Sequence, residues 1–578
     1  MSANSDVPTN SGFRNGLKTE VAIIGAGCAG LYTAYRLVAD PANDKRLKGS
    51  DVQVFEMSER IGGRLWSVDL PGMNFAAELG GMRYMPAQEI ATSLIENVFK
   101  AELTPIDFPM GKDDSLDVYL RKQRLKANSW VNAQKNNTKL RTNYQLNDDD
   151  LGFDADQLFN KIIYDTLTAD PWFVANFGGK VSQSGPYDYS FTLTSVDWDQ
   201  IKPQLTYRLP GPYNGRKVND MGFWNLIKDQ TSQEGYAFLA DAGGYYSNTI
   251  NWNAAEAFPY MVGDFSNAKS QYKTLKDGYD GIAKRLAAHY AMVAGATIWT
   301  ENRLRTFRRS GTPTYRYELE FVNVPTGKTW IVYCNRIVLS MPRRSLELLD
   351  PTCLDLLAEQ SGDLFRDNLD SVIMEPSMKI LMGFTYAWWQ PLGMLAGHSI
   401  TDLPMRQCYY FGVDPANGHS LLLGSYNDMD TVSFWEPLRR DKIKFAARPA
   451  LGVSAADLEP LADVQASKSM IDEAVNQLQE LHGPDIAVPQ PYVTWYQDWR
   501  EDPFGGGYHA WKAGYDVSSV MAFMRQPNPV EAIHICGEAY SDQQGWIEGA
   551  FCVAERTLQD HMGLAWPFWL DKNYYLGW

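Results

Sequence analysis

Residues 20 to 64 constrain the fold more than any other stretch of this chain. An apolar run, Val21-Ala22-Ile23-Ile24, enters Gly25-Ala26-Gly27-Cys28-Ala29-Gly30, a helix-like segment follows, and a second apolar run, Val52-Gln53-Val54-Phe55, closes on Glu56. This is the layout of a complete dinucleotide-binding βαβ unit. Gly25 allows the tight turn, Gly27 lets the backbone approach a pyrophosphate, and Gly30 lets the helix pack on the strand. The start of the helix, at Cys28 and Ala29, offers N–H donors to an anion. Glu56 would accept from ribose hydroxyls. A glycine pattern alone is a weak signal; the strand before it, the helix after it and the acid ending the next strand make it specific.

The residues after Glu56 narrow the choice of dinucleotide. Met57-Ser58-Glu59-Arg60-Ile61-Gly62-Gly63-Arg64 places a glycine pair and an arginine where they meet the same pyrophosphate from its far side. Nicotinamide dehydrogenases have no need of such a segment. Here the sequence resembles the flavin amine oxidase family, whose FAD site carries an acid followed by an Arg-x-Gly-Gly-Arg-type segment. The likeness reaches both ends of the chain, and the branch it implies is that of the FAD-dependent L-amino-acid oxidases.

At 578 residues the chain exceeds one ordinary domain. A net charge of −16 argues against a nucleic-acid-binding surface, which needs clustered Lys and Arg. No run of 18 apolar residues exists, so no membrane span is expected. Met1 to Lys18 is polar and lacks a basic segment followed by an apolar core. The six cysteines are scattered without metal spacing and read as reduced thiols, which points to a cytoplasmic protein. With no export signal read in Met1 to Lys18, the sequon Asn136-Asn137-Thr138 reads as coincidence.

The expected fold is α/β (α+β overall): a discontinuous Rossmann-like FAD-binding domain with an inserted mixed-sheet substrate domain and a helical subdomain. The FAD-binding segments are 19–87, 270–345 and 512–562. Residues 88–250 read as a largely helical insertion, and 251–269 with 346–511 as the substrate-binding domain. Strands are expected at Lys379 to Thr385, Gln407 to Phe411 and Ser420 to Tyr426, and helices at 439–447 and 468–482.

The resemblance assigns FAD contacts to Gly25, Gly27, Cys28, Ala29, Gly30, Glu56, Gly63, Arg64, Gly81, Met82, Arg83, Leu304, Gly537, Glu538, Gly545, Trp546 and Ile547. In the segment Gly80-Gly81-Met82-Arg83 it implies an arginine that grips a substrate carboxylate, a task its planar fork suits. Tyr409 and Tyr410 sit on adjacent strand positions and point to opposite faces; the likeness puts a tyrosine here as second carboxylate ligand, and Tyr409 is preferred. Lys379 matches the family's lysine beside flavin N5. Trp546 would wall the substrate's Cα against the flavin, and Trp499 lies in a segment that folds back on the cofactor. The catalytic set implied is Arg83, Lys379, Tyr409 and Trp546, with no metal.

The implied activity is oxidative deamination of an L-amino acid by hydride transfer from Cα to N5, giving a 2-oxo acid, ammonia and H2O2, with O2 as second substrate. Two alternatives stay open: a flavin amino-acid 2-monooxygenase that makes the amide, and an amine oxidase without carboxylate recognition. Asp542 is a candidate for receiving a basic side chain, with Trp511 and Tyr508 as an aromatic box. A homodimer is a common family arrangement.

Overall fold

The computed structural model describes residues 7–267, 270–358 and 362–578. Its centre is a five-stranded parallel sheet in the order Thr297–Trp299, Val52–Phe55, Val21–Ile24, Arg336–Leu339 and Ile533–Ile535. Every residue of Val21–Ile24 and Val52–Phe55 is buried, as a parallel sheet covered on both faces requires. Helices Cys28–Val38, Gly281–Ala291 and Ile547–Met562 cover one face. The strands within 302–334 cover the other as an antiparallel sheet, edged by Leu17–Lys18. Buried Arg36 ties the first and last of these helices together, reaching Glu555 at 2.8 Å and Asp40 at 2.7 Å. The chain beyond residue 562 packs back on the same core through Trp569, Leu570 and Leu576.

A seven-stranded sheet forms the second layer system, in the order Val493–Asp498, Ser377–Phe384, Ser420–Asp428, Gln407–Val413, His398–Thr401, Asp117–Leu120 and Gln123–Lys126. Helix Lys468–His482 packs on one of its faces. Segment 68–82, which runs down from the cofactor-type domain, packs on the other. A third core is helical, built from Ala155–Ala169, Phe223–Gln230, Gln233–Ala242, Ala254–Tyr260 and their neighbours.

Two expectations need correction. Residues 117–126 do not belong to a helical insertion; they form a hairpin at the edge of the seven-stranded sheet. Its turn is Arg121-Lys122, both at positive φ (46° and 66°), a conformation usually signalled by Asn-Gly. Arg121 is held there by Glu234 at 2.6 Å and by the Tyr144 ring at 3.9 Å. The helix expected at 439–447 lies instead at Asp430–Arg439. Beyond it the chain extends, Phe445 N–H donates to the Ala466 carbonyl at 2.9 Å, and its ring joins the core under the sheet.

Candidate functional site

The parallel strands all deliver their C-terminal ends to one crevice, where open α/β sheets bind ligands. Gly25 follows Ile24, Glu56 follows Phe55, Ser340 follows Leu339, and Gly537-Glu538 come two residues after Ile535. The crevice opens into a cavity of about 600 Å³. Of the residues assigned to the cofactor by sequence, Gly25, Gly27, Cys28, Ala29, Glu56, Gly63, Arg64, Gly81, Leu304, Gly537, Glu538, Gly545, Trp546 and Ile547 line it. Gly30 lies behind, where an added Cβ would overlap the Gly25 carbonyl. Met82 and Arg83 sit beyond Gly81, away from the cavity wall.

The lining fits a dinucleotide. Helix Cys28–Val38 begins at Gly27 with no side-chain cap, so its first N–H groups face the cavity as an anion site. Gly63, at φ +61°, comes so close that a Cβ there would stand 3.1 Å from Gly27 Cα, whereas a Cβ at Gly27 would stand an ordinary 3.8 Å from Gly63 Cα; the narrow slot demands glycine on the Gly63 side. Glu56 accepts from Ala26 N–H at 2.9 Å and Ser58 N–H at 2.9 Å, which fixes its carboxylate at the cavity edge, where it would receive a ribose hydroxyl. Arg64 pairs with Glu538 at 2.7 Å and donates to the Gly507 carbonyl at 2.9 Å. Burial pushes Glu538 up, but the Arg64 guanidinium and His509 outweigh it and hold the carboxyl well below the usual carboxylate range. Ser340 and Phe504 also line the cavity, from the strand end and the glycine-rich segment that the sequence placed with the cofactor, and so do Leu348 and Leu349, which nothing in their local pattern marks.

A second group of side chains lies between this cavity and the seven-stranded sheet. The Arg83 guanidinium sits 4.0 Å over the Tyr272 ring and 5.4 Å from Phe108. Among the described residues no carboxylate oxygen comes within 4.0 Å of it. Tyr409 and Tyr245 join hydroxyls at 3.0 Å beside it, and His398 stacks on Tyr409 at 4.7 Å. Burial, helped by the Arg83 charge, pushes His398 down to about 4, so that imidazole is neutral. Tyr272 faces Trp546 in parallel, centroids 6.5 Å apart, which links this group to the main cavity. The Tyr272 hydroxyl donates to Asp264 Oδ1 at 2.5 Å, while buried Asp264 Oδ2 has no hydrogen-bond partner. Asp264 lies in a π-helical turn, Met261–Phe265, a distortion common at functional sites. Tyr245, Tyr272 and Asp264 come from segments without any motif, and sequence reading missed them.

Tyr410 points to the opposite face, where its hydroxyl meets Ser399 at 2.8 Å and His482 at 3.1 Å. Trp499 donates to the Leu79 carbonyl at 2.9 Å. Asp542 is not free for a substrate: Lys202 holds it at 2.8 Å. Trp511 is a core residue bonded to the Ser541 carbonyl, whereas Tyr508 lines the cavity. All six cysteines are buried free thiols.

Lys379 occupies a fully buried strand, where it donates to the carbonyls of Gly80 at 2.6 Å and Glu78 at 3.2 Å. Burial pushes it down to about 7, with Glu78 pulling it back and Arg83 adding to the drop. A lysine depressed from 10.5 contributes stability above its unfolded value, and that stability is lost as pH falls toward 7. Between these limits the unfolded chain binds the extra proton, so raising pH favours the fold. Melting temperatures of the wild type and Lys379→Met, compared at pH 7 and pH 10, should therefore show the wild type gaining on the variant as pH rises; a constant difference would place an ordinary lysine here.

The family model for flavin-containing amine oxidoreductases matches residues 28–183 and 213–557. Aplysianin-A of Aplysia kurodai is 25% identical over 94% of this chain and 90% of its own. A tryptophan 2-monooxygenase of Pseudomonas savastanoi is 38% identical over 92% and 87%, and L-amino-acid oxidase 4 of Hebeloma cylindrosporum 20% over 96% and 84%. A putrescine oxidase structure superposes with a TM-score of 0.58 at 15% identity, covering 94% of this chain and 99% of the other. The chain belongs to the flavin-containing amine oxidoreductase family, and its cofactor is FAD. No helix among the described residues is long and apolar enough to cross a membrane.

Proposed function

We propose that the protein oxidises the Cα–N bond of an L-amino acid, with release of the 2-oxo acid, ammonia and H2O2. The observation that carries this reading is Arg83: a guanidinium lying over Tyr272, whose ring faces cavity-lining Trp546, framed by tyrosines, with no carboxylate of the protein within 4.0 Å among the described residues. Buried charges are normally paired, and the substrate's carboxylate supplies the missing partner. Tyr409 adds a hydroxyl on the same side. Asp264 Oδ2 offers the opposite charge to the substrate's ammonium, so the two ends of a zwitterion are both met. Trp546 and Tyr272 hold the carbon skeleton between flat faces. Bound FAD supplies the chemistry, accepting two electrons from Cα and passing them to O2. Lys379 lies along the carbonyls of Glu78 and Gly80, next to cavity-lining Gly81, where its charge favours oxygen reduction more than substrate binding.

The 38% identical tryptophan 2-monooxygenase favours a second reading, in which the same oxidation ends in decarboxylation to an amide. One experiment tests both. The yellow protein is mixed anaerobically with each L-amino acid, its D-form and simple amines, and then air is readmitted. Bleaching by certain L-amino acids alone supports the shared step; peroxide then indicates the oxidase and amide the monooxygenase. Bleaching by amines without a carboxylate would overturn the role of Arg83.

The two tyrosines give a sharper check. Tyr409→Phe removes one hydrogen bond to a charged group, about 1.5 kcal/mol, and should raise KM for amino acids about tenfold. Tyr410→Phe should leave KM unchanged and cost about 1 kcal/mol of stability, because its hydroxyl serves the far side of the sheet.

A further inference from the structure

Tyr508 separates the cofactor cavity from a second, smaller one of about 20 Å³, enough for one water. Four residues that line it each leave one buried polar atom without a hydrogen-bond partner: Trp252 Nε1, Glu256 Oε1, Glu375 Oε2 and His509 Nε2. None of the four residues exposes more than 6% of its surface. Native interiors leave a few such atoms per 100 residues, scattered; four around a single hole ask for an occupant.

The hydrogen count identifies it. His509 Nδ1 lies 3.0 Å from Glu538, a carboxylate kept charged by Arg64, so Nδ1 carries the ring proton and Nε2 presents a lone pair. The cavity then offers one donor, Trp252 N–H, and three acceptors. A water takes the Trp252 hydrogen and has only two to give. The count closes when one carboxyl is protonated: the water accepts from Trp252 and from that O–H, and donates to the other carboxylate and to His509 Nε2. Glu375 is the carboxyl that keeps the proton, since among the described residues no cation pairs with it within 4.0 Å and it faces Asp428 and Glu538, with Tyr508 relieving it. Glu256 stays ionised against Lys202 at 2.8 Å, although Asp542 and Asp199 share that one lysine.

We propose that this cavity holds one water and serves as a one-proton store for the redox cycle, with Glu256 as the residue that takes the proton up. The inference rests on the flavin-dependent reading above. Oxidation of an amino acid removes two electrons with the Cα hydrogen, and one proton from the ammonium nitrogen. The electrons and the Cα hydrogen go to the cofactor; the nitrogen's proton passes to the store, and the substrate leaves as the iminium. In the loaded state the water accepts from both acids and donates to His509 Nε2, which leaves the Trp252 N–H unmatched, a cost that favours release; O2 then takes both electrons and both hydrogens, departs as H2O2 and resets Glu256. Burial, opposed by Lys202, lifts Glu256 to about 7, which lets it change state at neutral pH. The site adjoins the cofactor through the Glu538–His509 pair and through Tyr508, which lines both cavities.

The test is a redox titration of the flavin in the purified holoprotein, without substrate, between pH 6 and pH 8. The wild type should take up two protons per two electrons. Glu256→Gln should take up one, and Glu375→Gln, whose carboxamide replaces a protonated acid, should still take up two. A second measurement needs no variant: the infrared difference spectrum of reduction should show a new buried carboxylic acid band that shifts in D2O. Uptake of one proton by the wild type, two by Glu256→Gln, or no such band would each overturn the store. Because no amino acid is present, these outcomes are independent of the substrate proposed above, whereas a chain that holds no flavin would overturn both readings.

Discussion

Replacing Arg83 by methionine is expected to lower kcat/KM for L-amino acids by about 10²- to 10⁴-fold. The figure follows from two charge-assisted hydrogen bonds to a carboxylate at about 1.5 to 3 kcal/mol each, at about 1.4 kcal/mol per decade. Oxidation of an amine without a carboxylate, however slow, should be unaffected. The stability of the ligand-free protein should hardly move. The guanidinium sits over Tyr272 with no carboxylate within 4.0 Å among the described residues; burial costs it, the surrounding tyrosine oxygens and the longer-range attraction of Asp264 offset that cost, and with no direct ion pair to break an apolar side chain of similar length should leave the fold's stability nearly unchanged. Activity lost with melting temperature kept is the pattern of a residue retained for a ligand. A structural arginine would lose both together. Arg83→Lys separates charge from shape: it keeps the cation but not the fork, and should recover only part of the loss.

The parts of this molecule that could be read from sequence are those whose chemistry is local. The nucleotide loop is legible because strand, glycines, helix and acid follow one another within 40 residues, each demanded by the backbone path. The parity of Tyr409 and Tyr410 was legible too, since adjacent strand positions must diverge. Which of them faces Arg83 depends on what covers each side of the sheet: segment 68–82 on one, helix Lys468–His482 on the other. Tyr245, Tyr272 and Asp264 reach the same place from separate connections, so no window of sequence shows them together. The fate of Asp542 shows the same limit. It lies four residues before Trp546 and looks available, but Lys202, 340 positions away, has already claimed it. The hairpin at 117–126 was hidden for another reason. Its turn uses Arg121 and Lys122 at positive φ, and the cost of that conformation is offset by Glu234 and Tyr144, partners that lie outside the turn.

Gly25→Ala is expected to give a protein without flavin. Gly25 sits at φ +106°, and a Cβ there would overlap the Ser340 carbonyl at the end of the neighbouring strand. Backbone strain at such a position costs about 1 to 3 kcal/mol. The overlap adds to it, because a carbonyl fixed at a sheet end cannot swing aside as a flexible side chain would. Moving strand Val21–Ile24 away from strand Arg336–Leu339 would displace the turn at Gly25 and with it the anion site at the start of helix Cys28–Val38, so FAD affinity should fall by at least 10²-fold, read from the flavin absorbance of the purified protein and from titration with FAD. Two controls decide what kind of loss this is. Gly16→Ala shares a positive φ, +77°, but nothing lies within 4 Å of its added Cβ, so it should cost about 1 kcal/mol and keep its flavin. Gly27→Ala has ordinary φ, −79°, and its Cβ meets only Gly63 Cα at 3.8 Å. That variant should fold with unchanged melting temperature when free of ligand, yet bind FAD more weakly, because the methyl stands in the slot where backbone and pyrophosphate meet. Loss of the flavin through the fold at Gly25 and through the ligand alone at Gly27 would assign each glycine its separate duty; equal effects at both would mean that the slot between Gly27 and Gly63 does not hold the phosphates.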